Sequence, residues 1–108
     1  MARRVNRGDL WLYRFKGPDK QRPVVVLSRQ SVIPLLGTVM VAPITSTIHG
    51  VPSEVVVGVR HGLKNDSAVN LDHVQTVAKA QLTRWLGRLD EQAMDDVCRA
   101  LAVATGCD

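Results

Sequence analysis

Six short stretches rich in β-branched and aromatic residues, each bounded by turn residues, fill the first three quarters of the chain and confine it to a small curled antiparallel sheet. The strands are predicted at 10–15, 24–27, 39–45, 54–59, 67–71 and 74–78, with turn chemistry at 17–19, 34–37, 50–53 and 62–66. Trp11, Tyr13 and Phe15 share one side of the first strand, the side expected to face the core. The run 24–27 is apolar throughout, as a strand buried on both faces should be. At Asp90 the period changes: Met94, Val97, Cys98, Leu101 and Ala104 or Thr105 follow helical spacing, with Asp90 as N-cap and Gly106 closing the helix. So short a helix is unstable alone in water, and its apolar stripe must lie on the sheet. The expectation is an α+β fold in one domain spanning 1–108.

Apolar residues make up 45% of the sequence and charged ones 22%, a balance that supports a packed core and excludes a disordered chain. No apolar run approaches the roughly 20 residues of a membrane-spanning helix, and the basic start has no signal-type segment behind it, so a cytoplasmic location is expected and no membrane partner. Cys98 and Cys107 both lie near the end and cannot staple the fold; Cys98, on the apolar stripe, reads as a small buried hydrophobe. The formal charge of +4 is unevenly spread. Residues 1–30 carry Arg3, Arg4, Arg7, Arg14, Lys16, Lys20, Arg22 and Arg29 against Asp9 and Asp19, whereas 91–108 carry Arg99 against four acids. The basic half is either a face for a polyanion or a solvated surface that aids solubility.

Several chemistries are missing. The sequence has no glycine-rich phosphate cradle, no GxSxG elbow, no HExxH and no paired CxxC. His49, His61 and His73 stand twelve residues apart on different predicted elements, so neither a metal nor an organic cofactor is expected. Two of these histidines could still act as an acid–base pair on RNA.

Three spots combine polar groups with rigid surroundings. In Lys20-Gln21-Arg22-Pro23 a cationic turn enters a buried strand, and Arg22 either grips a phosphate in two-pronged fashion or pairs with Asp19 at the strand end. In Ala42-Pro43-Ile44-Thr45-Ser46-Thr47 a proline interrupts a strand, implying an edge or a bulge, and Thr45 either faces a phosphate or is an ordinary strand residue. The third spot is Gln75-Thr76, polar residues on a late strand.

The order of these motifs carries a resemblance. Arg7-Gly8-Asp9-Leu10-Trp11, QRPVVVLS at 21–28, APITST at 42–47, DSAVNLDHVQTV at 66–77 and LGRLDEQAMDDVCRAL at 86–101, where a strand leads into the final helix, resemble the MazF/PemK toxin ribonucleases over nearly the whole chain. The resemblance implies a small SH3-like antiparallel β-barrel with a C-terminal helix and short extra helical turns, acting as a homodimer. It implies cleavage of single-stranded RNA at short sequences to 2′,3′-cyclic phosphate and 5′-hydroxyl ends, and an antitoxin partner with an acidic extended tail. By position, Arg22 and Thr45 match the family's catalytic arginine and threonine. Asp19, Lys20, Gln21, Ser28, Arg29, Ser46, Thr47, His49, Gln75 and Thr76 are the RNA-binding or proton-transfer candidates. Many members carry a glutamate several residues before the Arg-Pro pair, in a longer loop; here Asp19 is the sole acid of 16–21, so the proton acceptor is Asp19, His49 or a water. A gyrase-poisoning toxin of CcdB type and a non-catalytic RNA-binding barrel are the rival readings; the absence of a C-terminal tryptophan counts against the first and the low aromatic content against the second.

Overall fold

The computed structural model describes residues 3–14 and 21–108. Its strands are β1 (Asp9–Arg14), β2 (Gln21–Val26), β3 (Thr38–Thr45), β4 (Glu54–Val57), β5 (Ser67–Asn70), β6 (Gln75–Ala78) and β7 (Leu82–Arg88), followed by one helix, α1 (Glu91–Thr105). All pairings are antiparallel, in the order β4-β5-β3-β2-β1-β7 with β6 also on β3. Short 3-10 turns at Ile33–Leu35, Val59–His61, Leu71–His73 and Lys79–Gln81 fill the corners. The α+β class and the C-terminal helix are therefore as the sequence implied. Among the described residues no helix is long and apolar enough to cross a membrane.

Two expectations need correction. A strand at 82–88 is missing from the six predicted by pattern, and the motif at 86–101 reveals only its end. β7 hides because it bulges twice against β1, with Leu86 extra opposite the Leu10–Trp11 step and Thr83 extra opposite the Leu12–Tyr13 step, so Thr83, Arg84 and Trp85 are exposed in a row and alternation is lost. Cys98, expected inside, is exposed. The buried stripe of α1 is Ala93, Val97 and Ala100, one position round from the predicted face, and the Arg7 guanidinium donates to Cys98 Sγ at 3.2 Å. Phe15 lies outside the described residues.

Alternation on β1, β2 and β3 divides the interior into two cores. Leu10, Val25, Leu27, Ala42 and Ile44 point toward α1 and pack with Val55, Val69, Ala93 and Val97. Trp11, Val24, Val26, Val39 and Val41 point the other way, onto Ile33, Val77 and Leu82, with Tyr13 at the margin. The helix is capped as predicted: Asp90 accepts from the Ala93 N–H at 2.9 Å, the main reason its carboxyl sits below the usual range, and Gly106 takes φ 73°.

Asp9 is fully buried at the junction of β1 and β7. Its carboxylate accepts from the Asn6 N–H at 2.8 Å, from Arg88 Nε at 3.1 Å and, more weakly, from Trp11 Nε1 at 3.4 Å. Asp9→Ala strands these donors and is expected to cost about 2–4 kcal/mol in denaturant unfolding. A loss under about 0.5 kcal/mol, the level of a neutral surface change, would remove that role.

His61 is also buried, in the turn Val59–His61, with Nδ1 accepting from the Gly58 N–H at 3.2 Å and Nε2 unpartnered among the described residues. Burial lowers its pKa below 6.5, the Arg60 charge lowers it further, and Asp90 opposes both. The folded chain thus refuses a proton that the unfolded chain accepts below about pH 6.5, so stability is complete above that pH and falls as pH drops toward the folded pKa. His61→Asn keeps an acceptor for Gly58 without titrating. Its thermal midpoint should fall less than the parent's between neutral pH and pH ~5; equal slopes would acquit His61.

Candidate functional site

The register of β2 and β3 decides where the predicted residues meet. Val26 faces Val41, Val25 faces Ala42 and Val24 faces Pro43, and there the pairing ends. Pro23 would turn its nitrogen to β3, as Leu27 does in donating to the Met40 carbonyl, so the β2–β3 ladder loses its next donor there, whereas Pro43 would turn its nitrogen to the other edge of β3. Past this point β3 takes β5 as partner, Ile44 opposite Val69 and Thr45 opposite Ala68. Pro43 stands where β2 stops pairing on one edge of β3 and where β6 gives way to β5 on the other.

Continuing the β2–β3 register two residues along each strand brings Arg22 level with Thr45. Alternation puts both on the face of Val24 and Pro43, away from α1. Arg22 is exposed and pairs across β1 with Tyr13; Thr45 is half-buried and is the last residue of β3. Thr45 Oγ1 accepts from the Thr47 N–H at 3.2 Å, which leaves its own hydrogen free to donate.

The loop after β3 is fixed from beyond. Glu54, at the start of β4, accepts through Oε1 from the N–H groups of His49 (2.9 Å) and Gly50 (3.0 Å). Ser46, Thr47 and His49 are exposed on this loop. Gln21, next to Arg22, has Oε1 2.8 Å from Thr83 Oγ1, whose one hydrogen is shared between it and the Leu12 carbonyl at 3.2 Å. Glu54 and Thr83 are the positioning residues that the sequence did not reveal. For Glu54 a signal existed: a loop turning at Gly50 needs acceptors for its N–H groups, and an acid stands four residues on.

Other predicted residues lie elsewhere. Asp19 and Lys20 fall outside the described residues. Ser28 and Arg29 lie past the opposite end of β2, roughly 20 Å from Arg22 at about 3.3 Å per residue. Ser28 Oγ is occupied there by the Met40 N–H at 2.8 Å. Gln75 pairs with Val41, on the Arg22 face but four residues further down β3, whereas Thr76 pairs with Met40 and points the other way. Of the three histidines, His61 is buried in its turn, His73 Nδ1 lies 3.2 Å from Asn70 Nδ2, and His49 lies on the loop that follows Thr45. The predicted set therefore splits, with Gln21, Arg22, Thr45, Ser46, Thr47 and His49 around the parted strands and the rest apart.

This geometry has close parallels. A family model described as PemK-like, MazF-like toxin of type II toxin-antitoxin system matches residues 6–105. The probable endoribonuclease MazF5 of Mycobacterium tuberculosis is 45% identical over 102 residues, which cover 94% of this chain and 93% of the relative. The endoribonuclease EndoA of Bacillus subtilis is 33% identical over 108 residues, 93% of each chain. The solved structure of the Mycobacterium tuberculosis toxin MazF-mt6 superposes with a TM-score of 0.85 at 35% identity, covering 93% of this chain and 98% of that one. The chain therefore belongs to the PemK-like, MazF-like family of toxins of type II toxin–antitoxin systems.

Proposed function

We propose that this protein is a toxin endoribonuclease that cuts single-stranded RNA, mRNA included, at short sequences in the cytoplasm, as a single toxin domain in a homodimer. The observation that carries the reading is the register that sets Arg22 and Thr45 on one face, just past the level where β2–β3 pairing ends at Val24 and Pro43. Family membership supports it, as do relatives named as endoribonucleases. The partner that restrains it is an antitoxin whose acidic extended tail competes with RNA for the cationic groove, in keeping with the basic first thirty residues.

The nucleophile is part of the substrate. The ribose 2′-oxygen attacks its own 3′-phosphorus, a 2′-O–P bond forms as the P–O5′ bond breaks, and the 5′-oxygen leaves and takes a proton. The products are a 2′,3′-cyclic phosphate and a 5′-hydroxyl. With attack internal, the protein supplies alignment and charge stabilisation. Arg22 grips the non-bridging oxygens through two parallel N–H bonds, and Thr45 gives its free hydrogen to one of them. Arginine stays protonated and is no base, so the 2′-proton goes to Asp19, His49 or a water. His49 is held on the loop that Glu54 ties down. Gln21, linked to Thr83, flanks the phosphate on the other side.

Incubation of the purified protein with a mixed RNA pool in EDTA, with mapping of the new ends, tests the class. Cyclic phosphate ends at a short common sequence are expected. Binding without cleavage would leave only the RNA-binding barrel, and loss of gyrase supercoiling without cleavage would point to the CcdB type. Arg22→Ala and Thr45→Val should each lower the cleavage rate by at least about 100-fold. Arg22 is exposed, so its loss should move stability by no more than about 0.5 kcal/mol. Arg22→Lys keeps the charge and loses the fork, and is expected to stay nearer the alanine variant than the parent. Full activity in any of these variants would remove the proposed site.

A further inference from the structure

Beyond the parted strands, the same sheet face carries a second feature. Trp85 pairs with Trp11 across β7 and β1, and Trp11 pairs with Val24, so Trp85 stands on the Arg22 side of the sheet. Its indole is 36% exposed, a costly position for a large aromatic ring. The Arg3 guanidinium carbon lies 3.7 Å from the ring centroid. Around this pair runs a groove of about 920 Å³ with Trp11, Ile33 and Leu82 in its floor and Arg4 and Lys79 on its walls. Among the described residues no acidic side chain lines it. Lys79 spends one donor on the Ile33 carbonyl at 2.7 Å, which fixes its ammonium at the rim with two donors to spare.

We propose that this groove is a second subsite for single-stranded RNA: a nucleobase stacks on the Trp85–Arg3 pair while Arg4 and Lys79 bind its phosphates. The inference rests on the reading of the protein as an RNA-cutting toxin and extends its binding path. The groove is continuous with the scission site, because Thr83 lines it and also hydrogen-bonds Gln21, the neighbour of Arg22. Two strand spacings and two residue rises separate Trp85 from Arg22, about 12 Å along the sheet. The chemistry favours RNA over an acidic peptide. Carboxylates would use the cations alone, whereas a ring with a guanidinium plane over it, above an apolar floor, suits the flat face of a base.

The test separates this subsite from the cleavage reading by using RNA that cannot be cut. A fully 2′-O-methylated oligonucleotide of about 12 nucleotides is titrated against the full chain and followed by anisotropy. Trp85→Leu, which keeps apolar bulk without a stacking face, should weaken binding about 5- to 100-fold. The double variant Arg3→Gln, Arg4→Gln removes one phosphate contact, that of Arg4, and should lower the slope of log affinity against log salt by about 0.7. The rate constant on the shortest cleavable substrate should stay at the parent value in all these variants, since none touches the scissile phosphate. Binding of the Trp85→Leu protein within about twofold of the parent would overturn the subsite, as would a polyglutamate peptide held more tightly than RNA in a Trp85-dependent way. Should Trp85→Leu fail to fold by circular dichroism, the exposed Arg3/Arg4 pair decides alone, and an unchanged salt slope refutes the proposal. A parent that binds the methylated RNA through Trp85 but cuts no natural RNA would sink the cleavage reading and leave the subsite standing.

Discussion

Two prolines on neighbouring strands shape the rest of this molecule. A proline inside a sheet removes a ladder donor and is ordinarily confined to edges and bulges. Here Pro23 removes the next donor that β2 would give to β3, and Pro43 removes one on the other edge of β3, so the β2–β3 pairing ends at Val24 and Pro43. β3 loses little, because β5 takes its final residues, and the sheet turns a corner instead of fraying. The corner lets β4 and β5 fold over toward α1 and close the first core. It also leaves the β3-facing edge of β2 open at the level of Arg22, whose other edge stays paired with Tyr13 of β1.

The two cores divide the labour. One is sealed by α1, whose stripe of Ala93, Val97 and Ala100 lets the helix lie close on Leu10, Val25 and Ala42. Among the described residues the other is covered by Val5, the turn Ile33–Leu35 and the ends of β6 and β7. That half-covered face holds Arg22, Thr45, Gln75 and Trp85. Both cores are deeply buried, whereas Arg22 is exposed at the strand end, so Arg22→Ala removes exposed chemistry while leaving core packing in place.

How much of this was legible in the sequence depended on whether the signal was local. Asp90 and Gly106 announced the helix because capping needs only the neighbouring backbone, and both do what their residue types suggest. Pro43 announced a break, but whether it meant an edge, a bulge or a partner exchange depended on β5, which lies more than twenty residues away in sequence. β7 went unseen for a similar reason: its exposed run over Thr83, Arg84 and Trp85 is imposed by bulges against β1, and alternation cannot survive them. Cys98 was misplaced because the helix is rotated by small residues, Ala93 and Ala100, that a hydrophobicity pattern weighs too lightly. At the site, Arg22 and Thr45 could be named from motif order. Glu54, Thr83 and the buried Asp9 could not, since their partners lie on other elements.

An exposed arginine poses a problem of magnitude. Two unit charges 4 Å apart attract by only about 1 kcal/mol in bulk water, against about 4 kcal/mol where the effective dielectric constant falls to 20. Arg22 on an open strand end is in the first regime, whereas the charge stabilisation proposed for it calls for the second. On that proposal something must exclude water when RNA is bound. The loop held by Glu54 is polar and exposed. The cover would come from the RNA and from the second copy of the chain in the proposed homodimer. A base anchored some distance along the same face would press the intervening nucleotides onto the sheet and hold the phosphate against Arg22. Binding energy gained at Trp85 would then reach the reaction as a lower dielectric and a fixed line of attack, so the length of RNA engaged, as well as the sequence at the cut, would set the rate.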